Sequence, residues 1–322
     1  MLYLVFRLFD WRQAVDILKV FSPAKFLIFF SAALFTHSLH AFRHKLILRF
    51  YHQNIGFFRI LGVRLAGFSL SYLIPSATLA GEPLRGHLLT RFGVDARIGY
   101  ASVILDKFWE LAANFVLMAS FLFLSFIGRK ISWGIILAVS ASTLFYLVVF
   151  YFFYSRISRN KGIFSVIFRI LKVGRLSGRF NNFEGKILET EKEAASFFRK
   201  KRGEFFGVLF LSPLVYFSWL AEIWLLAYFL GVNLGFLEVV LVQFVLGLAT
   251  LMPVSGGLGF LEAGAAAVFV LLGFQGAGGL SFSILQRIKD LILAAIGLLS
   301  FLYFWIKNGI RGGSDNKISP MG

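Results

Sequence analysis

No cysteine occurs among the 322 residues, which excludes disulfides, thiolate nucleophiles and Cys-based metal sites. Acidic residues are scarce too: 16 Asp and Glu stand against 33 Lys and Arg, a formal charge of +17, and charged residues make up only 15% of the chain. Missing also are a Ser/His/Asp set, a pair of catalytic carboxylates in polar surroundings and a cluster of metal-ligand spacing. GGLG in MPVSGGLGF has no strand–helix context and is not a phosphate loop of the soluble kind. The chain therefore reads as a non-enzyme with no cofactor and no metal. Its start, MLYLVFRLFDWRQ, has no basic leader and no small-residue cleavage site, so no signal peptide is expected.

Apolar sequence is abundant. Hydrophobic residues form 58% of the chain, Phe alone numbers 41, and the mean hydropathy is +0.78. Several apolar runs approach the ~20 residues that cross a bilayer. A soluble protein of this size would be unable to cover them, and the reading is an all-α polytopic transmembrane protein. The positive charge lies mainly in connecting segments, which assigns it to membrane topology and anionic phospholipid. No nucleic-acid-binding motif accompanies it, so nucleic acid is not an expected partner.

Along the chain, residues 1–20 read as an amphipathic entry segment, and 24–42 as the first full span, followed by the basic run Arg43, Lys45 and Arg49. Residues 57–75 break at Pro75, 78–92 form a short return arm, 98–127 a long helix and 132–154 another span. The segment 155–204 carries 13 Lys/Arg against 5 Glu, and such a loop between spans belongs on the cytoplasmic side. Its Ile163, Phe164, Ile167, Ile170 and Leu171 share a helix face, as an interfacial amphipathic helix would; fixing topology is the equal alternative. Then come 205–230, with Pro213 and Glu222 inside, 236–252, a second short arm at 258–273, and a last span at 281–306. This divides the chain into a first repeat (1–154), a basic amphipathic loop (155–204), a second repeat (205–308) and a flexible cytoplasmic tail (309–322). Counting crossings from the loop also places 43–56 in the cytoplasm, in a multi-pass protein of the cell membrane.

The division into repeats rests on one arrangement that occurs twice. The first copy has Pro75, Gly81 and Glu82, then Lys107 and Glu110 in SVILDKFWEL; the second has Pro253, Gly256, Gly257 and Glu262, then Arg287 and Asp290 in FSILQRIKDL. From glutamate to cation, 82 to 107 and 262 to 287, the spacing is 25 in both. Interrupted apolar segments in corresponding positions of two halves point to a transport site at the repeat interface. Crossing counts make the first broken segment enter from the cytoplasm and the second from outside, an inverted repeat of re-entrant segments.

Cost argues for a polar interior. Each carboxylate or cation facing lipid at a helix centre costs roughly 2.5–3.5 kcal/mol, so the six charged groups of the two copies would forfeit on the order of 15–20 kcal/mol, more than a typical domain's stability. They must face one another, water or a polar ligand. Backbone freed by Pro and Gly is likewise tolerated at membrane depth only inside protein or beside a wet cavity. A plainer alternative remains: Lys107/Glu110 and Arg287/Asp290 have i,i+3 spacing and would also serve as structural ion pairs. Glu222 reads equally as a supporting partner or a helix-packing residue. His37 and His40 read as interfacial or packing residues.

At PSATLAGEPLRGHLLTR with ASVILDKFWEL, at EKEAASFFRKKR, and at MPVSGGLGFLEAG with SILQRIKDL, the chain resembles the flippase-like membrane domain of lysylphosphatidylglycerol synthases and its stand-alone relatives. The resemblance spans about residues 24–306. It implies a helical domain with re-entrant arms that binds phospholipid or moves it between leaflets, with Glu82, Arg85, Asp106, Lys107, Glu110, Glu262, Arg287 and Asp290 as polar lining. No aminoacyl-transfer domain follows before Gly322, so lysine transfer is not expected of this chain. The expected function is lipid translocation. The alternatives are an accessory or scaffold role beside lipid- or glycan-synthesis enzymes, or small-solute carriage.

Overall fold

A computed structural model describes residues 21–75, 79–128, 180–200, 203–250 and 252–314, with isolated helical positions between 16 and 19 and between 137 and 155. The expected entry segment, the 132–154 span and the amphipathic stretch at 161–175 fall largely or wholly outside these residues, as does the tail beyond 314. The described residues form helices α1 (Pro23–Phe50), α2 (Phe57–Leu73), α3 (Gly81–Arg91), α4 (Ala96–Gly128), α5 (Phe180–Lys200), α6 (Gly203–Phe229), α7 (Phe236–Thr250), α8 (Phe260–Leu271) and α9 (Gly276–Ser314). No strand occurs among them.

Three of these helices, α1, α6 and α9 as far as Lys307, are long and apolar enough to cross a membrane. Their outward faces carry large apolar side chains. On α6, Phe210, Leu214, Phe217, Trp224 and Tyr228 are all exposed, and their spacing of three, four and seven residues is one helical stripe. A soluble fold would not leave that much contiguous apolar surface in water. Inside, Asp106, Arg43, Arg85 and His44 are 2% exposed or less. Apolar side chains outside and charges within is the pattern of a protein whose solvent is lipid.

Local chemistry sets the helix ends. Ser22 caps α1 by accepting from the Lys25 N–H, with Pro23 at the first helical position. α2 stops at Leu73 because Ile74 precedes Pro75 and is driven to an extended backbone, φ −93° and ψ 131°. α7 gives way to Pro253 and a single 3-10 turn at Ser255–Gly257, in which Gly256 has a left-handed φ of 56° that a β-carbon would disfavour. Glu262, in the first turn of α8, then accepts from the Gly259 N–H at 2.8 Å and satisfies the donor of the N-cap.

Each break folds a helix back on its predecessor. α2 packs on α3 and α3 on α4; α7 packs on α8 and α8 on α9. The first pair is a tight antiparallel hairpin. Gly81 N–H donates to Ser71 Oγ at 2.9 Å, a β-carbon at Gly81 would lie 1.9 Å from the Gly67 carbonyl oxygen, and Arg59 at the start of α2 sits 5.7 Å over the Phe92 ring just past α3. The second hairpin is also antiparallel, since Gly257 meets Ala249 and Gly264 meets Val245. The two halves interlock: α2 packs along α9 and α1 along α6. The 180–200 part of the basic loop is a helix on α4, with Ala194, Ala195 and Phe197 buried against Phe50 and Phe108.

Candidate functional site

Asp106 is the centre of the first charged network. α4 runs unbroken past it, with the good helix formers Leu105, Lys107, Glu110, Leu111 and Ala112 around it, while α1, α2 and α3 each bring an arginine to it. Arg43 donates from Nε to Oδ1 at 2.8 Å and from Nη2 to the Asp106 carbonyl at 3.0 Å. Arg85 donates to Oδ2 at 2.6 Å, and Arg64 lies 3.5 Å from the same oxygen. The network extends toward a partly exposed rim: Arg85 to Glu82 at 2.8 Å, Lys107 to Glu110 at 2.7 Å, Lys107 to Glu82 at 3.9 Å and Arg64 to Glu110 at 3.7 Å. Asp106 is fully buried, whereas Glu110, Glu82 and Lys107 are 18–23% exposed.

Two histidines of α1 belong to this network. His44 Nδ1 is 3.0 Å from Arg85 Nη2 and its Nε2 3.0 Å from Ser102 Oγ. A guanidinium has only donors, so Nδ1 accepts and Nε2 carries the proton that goes to Ser102. His40 Nδ1 in turn faces Arg43 Nη2 at 3.4 Å.

The second network sits on α9. Arg287 donates from Nε to Glu262 Oε1 at 2.7 Å, its Nη2 approaches that oxygen at 2.6 Å, and Nη1 donates to Tyr72 Oη at 3.3 Å. Two residues on, buried Lys289 pairs with Glu222 of α6, donates to Gln286 Oε1 at 2.7 Å, and lies 3.2 Å from Asp290. Its ammonium is also 5.5 Å over the Phe29 ring. Among the described residues no ion pair joins the two networks. α2 connects them by carrying both Arg64 and Tyr72, and His37 of α1 packs edge-on against Phe68 of α2 at 5.2 Å.

The sequence-derived residues thus divide. Glu82, Arg85, Asp106, Lys107 and Glu110 converge in the first network, Glu262 and Arg287 in the second. Asp290 is in the second as well, but its partner is Lys289 rather than Arg287 three residues earlier. Pro75, Gly81, Pro253, Gly256 and Gly257 lie at the two breaks, and Gly256 touches the Tyr72 ring, where a β-carbon would come within 2.8 Å. Arg43 is a correction. It is fully buried inside α1, which runs on to Phe50, and is not part of a basic connecting run. Arg64, His44 and Lys289 escaped the sequence reading. An arginine in GVRLAGF and a lysine in QRIKDL were the available signals, since a cation in mid-helix apolar sequence needs a buried partner.

Beside His40, Arg43, Glu110 and Asn114 a cavity of about 10 Å³ has room for at most one water. With histidines neutral, the first network holds four cations and three carboxylates, the second two cations and three carboxylates. Their net charges are therefore opposite, one positive and one negative. No metal-binding cluster occurs among the described residues.

Apolar spans around a buried ionic interior define a multi-pass helical membrane protein. Residues 1–297 match the family model described as the lysylphosphatidylglycerol synthase TM region, and the chain belongs to that family. No curated protein matches it.

Proposed function

We propose that this protein is a flippase-like lipid translocator of the cell membrane, binding a phospholipid or lipid-linked headgroup and moving it between leaflets. The two antiparallel hairpins act as re-entrant segments of an inverted repeat, entering from opposite faces, with the 155–204 loop and the chain's C-terminal end in the cytoplasm. The observation that carries this reading is the charge division. A network with one excess positive charge and one with an excess negative charge, held a few helical turns apart on α2, offers a phosphate arginines and lysine on one side and a cationic headgroup moiety carboxylates on the other. In the closed state the ion pairs satisfy each other. A headgroup would exchange into them, its phosphate replacing the carboxylates at Arg85 or Lys107 and an amine replacing a cation at Glu262. Broken helices with free ends at such a site are the usual means by which transporters meet polar substrates at membrane depth.

Family membership supports a role in lipid modification or translocation. The small cavity supports a second reading, a non-transporting accessory of lipid- or glycan-synthesis enzymes. Proteoliposomes carrying a panel of fluorescent phospholipids, assayed for leaflet exchange, separate the two. Translocation predicts exchange that Glu262→Gln abolishes while the protein stays folded, since Gln retains an oxygen for the Gly259 N–H. No exchange for any headgroup, or undiminished exchange by folded Glu262→Gln, would overturn it.

A further inference from the structure

Away from both networks, the start of α2, the end of α3 and the last turns of α9 enclose a groove of about 780 Å³, within the size range of small-ligand sites. Its floor is one face of α9: Ile296, Leu299, Ser300, Tyr303, Phe304 and Lys307 recur at helical intervals. Its mouth carries three cations and no acid: Arg59, Arg91 and Lys307 all line it and are exposed. None of the three has a carboxylate partner among the described residues. Aromatic side chains hold them in place instead: Arg91 lies 5.1 Å over Trp305, Arg59 lies 5.7 Å over Phe92, and Lys307 donates to Tyr303 Oη at 2.9 Å. Phe58 and Arg59, in the first turn of α2, line the groove, so the positive end of the α2 dipole lies beside it.

We propose that this groove binds one phospholipid with a net anionic headgroup, its phosphate between Arg59, Arg91 and Lys307 and one acyl chain along the α9 floor toward Ile296. Charge complementarity selects the head. The floor selects the tail: Leu299 and Tyr303 are 65% and 56% exposed on a membrane-spanning helix, a surface that lipid wets and water does not. The length fits as well. From Lys307 to Ile296 is about 16 Å along a helix, half of the ~30 Å hydrocarbon thickness, the depth of a single leaflet. The site shares no residue with the two charged networks, and the proposal does not depend on translocation.

The test uses the full chain purified from vesicles of equal dioleoylphosphatidylglycerol and dioleoylphosphatidylcholine, with bound lipid read by native mass spectrometry. One phosphatidylglycerol is expected to be retained in preference to phosphatidylcholine. At about a factor of five per basic residue near a membrane surface, Arg59→Gln/Arg91→Gln/Lys307→Gln should weaken retention about 100-fold. Ser300→Trp, which obstructs the floor without removing a charge, should also release the lipid, and serves as the test if the triple variant does not accumulate. Gly247→Ala, in α7 and outside both the groove and the charged networks, should leave retention unchanged. Glycerophosphoglycerol and inorganic phosphate, which lack the acyl chains, should not displace the lipid at millimolar concentration. Equal retention of the two lipids, retention unaffected in the triple variant or in Ser300→Trp, or displacement by either soluble phosphate would overturn the proposal.

Discussion

Arg287 is bonded to Glu262 at 2.7 Å, and the residues at the same separation in the first half, Lys107 and Glu82, approach to 3.9 Å. The 25-residue interval is thus realised twice as a contact between the helix after a break and the next long helix, α3 with α4 and α8 with α9. The pairs are not equal. Glu262 is 7% exposed and Glu82 21%, so the second lies in a lower dielectric and its Coulomb term is larger. Double-mutant cycles on purified protein should give a coupling for Glu262/Arg287 of about 1–3 kcal/mol and one for Glu82/Lys107 below about 1 kcal/mol. Equal couplings would show that distance and burial do not set the difference.

Asp106, fully buried, is ion-paired to three arginines. Asp106→Asn keeps its shape but leaves those cations without their central carboxylate, at an expected cost of about 3–5 kcal/mol. Glu110→Gln, at the partly exposed rim, should cost less, about 1–2 kcal/mol. Thermal unfolding of the two variants in the same detergent checks the order.

The first hairpin has no room at its crossing. Gly81→Ala places a methyl group against the Gly67 carbonyl oxygen and should destabilise by about 3 kcal/mol or more. Gly247→Ala in α7 meets nothing within 4 Å and should stabilise by roughly 0.5–1 kcal/mol through helix propensity. Yields of monodisperse protein and unfolding temperatures should move in opposite directions.

Asp95 caps α4, accepting from the Arg97 N–H at 2.8 Å and from its guanidinium at 3.1 Å. These bonds hold the exposed carboxyl below its ordinary value of 3.8. A depressed carboxyl stabilises the fold above its unfolded value, and that contribution disappears as pH falls through the folded one. Asp95→Ala should therefore cost about 1 kcal/mol at neutral pH, and the gap to wild type should narrow as the pH drops below about 4. A gap constant from pH 7 to pH 3 would assign the loss to packing.

Because the chain has no cysteine, single introduced thiols report sidedness cleanly. Asn160→Cys in the basic loop should resist an impermeant maleimide added to intact cells, while Gln275→Cys, between α8 and α9, should react. External labelling at residue 160 would reverse the assigned orientation.

Composition and spacing determined the class of this protein, its breaks and many of its charged residues. Apolar runs of span length have few other uses, Pro75 and the glycines at 256 and 257 must interrupt a helix, and Glu82, Asp106 and Glu262 in apolar sequence require partners. These are local or one-body facts, written in the chain. Which charge meets which was decided only by tertiary structure. Arg43 reads as following a span because the sequence does not say that α1 continues to Phe50, and Lys289 pairs with Glu222 of α6, a partner 67 residues away. Partner choice depends on how α1, α2 and α6 pack beside α4 and α9, through contacts tens to hundreds of residues apart. A 3.6-residue period can reveal the faces of one helix, but it holds no information about the neighbour that each face will meet.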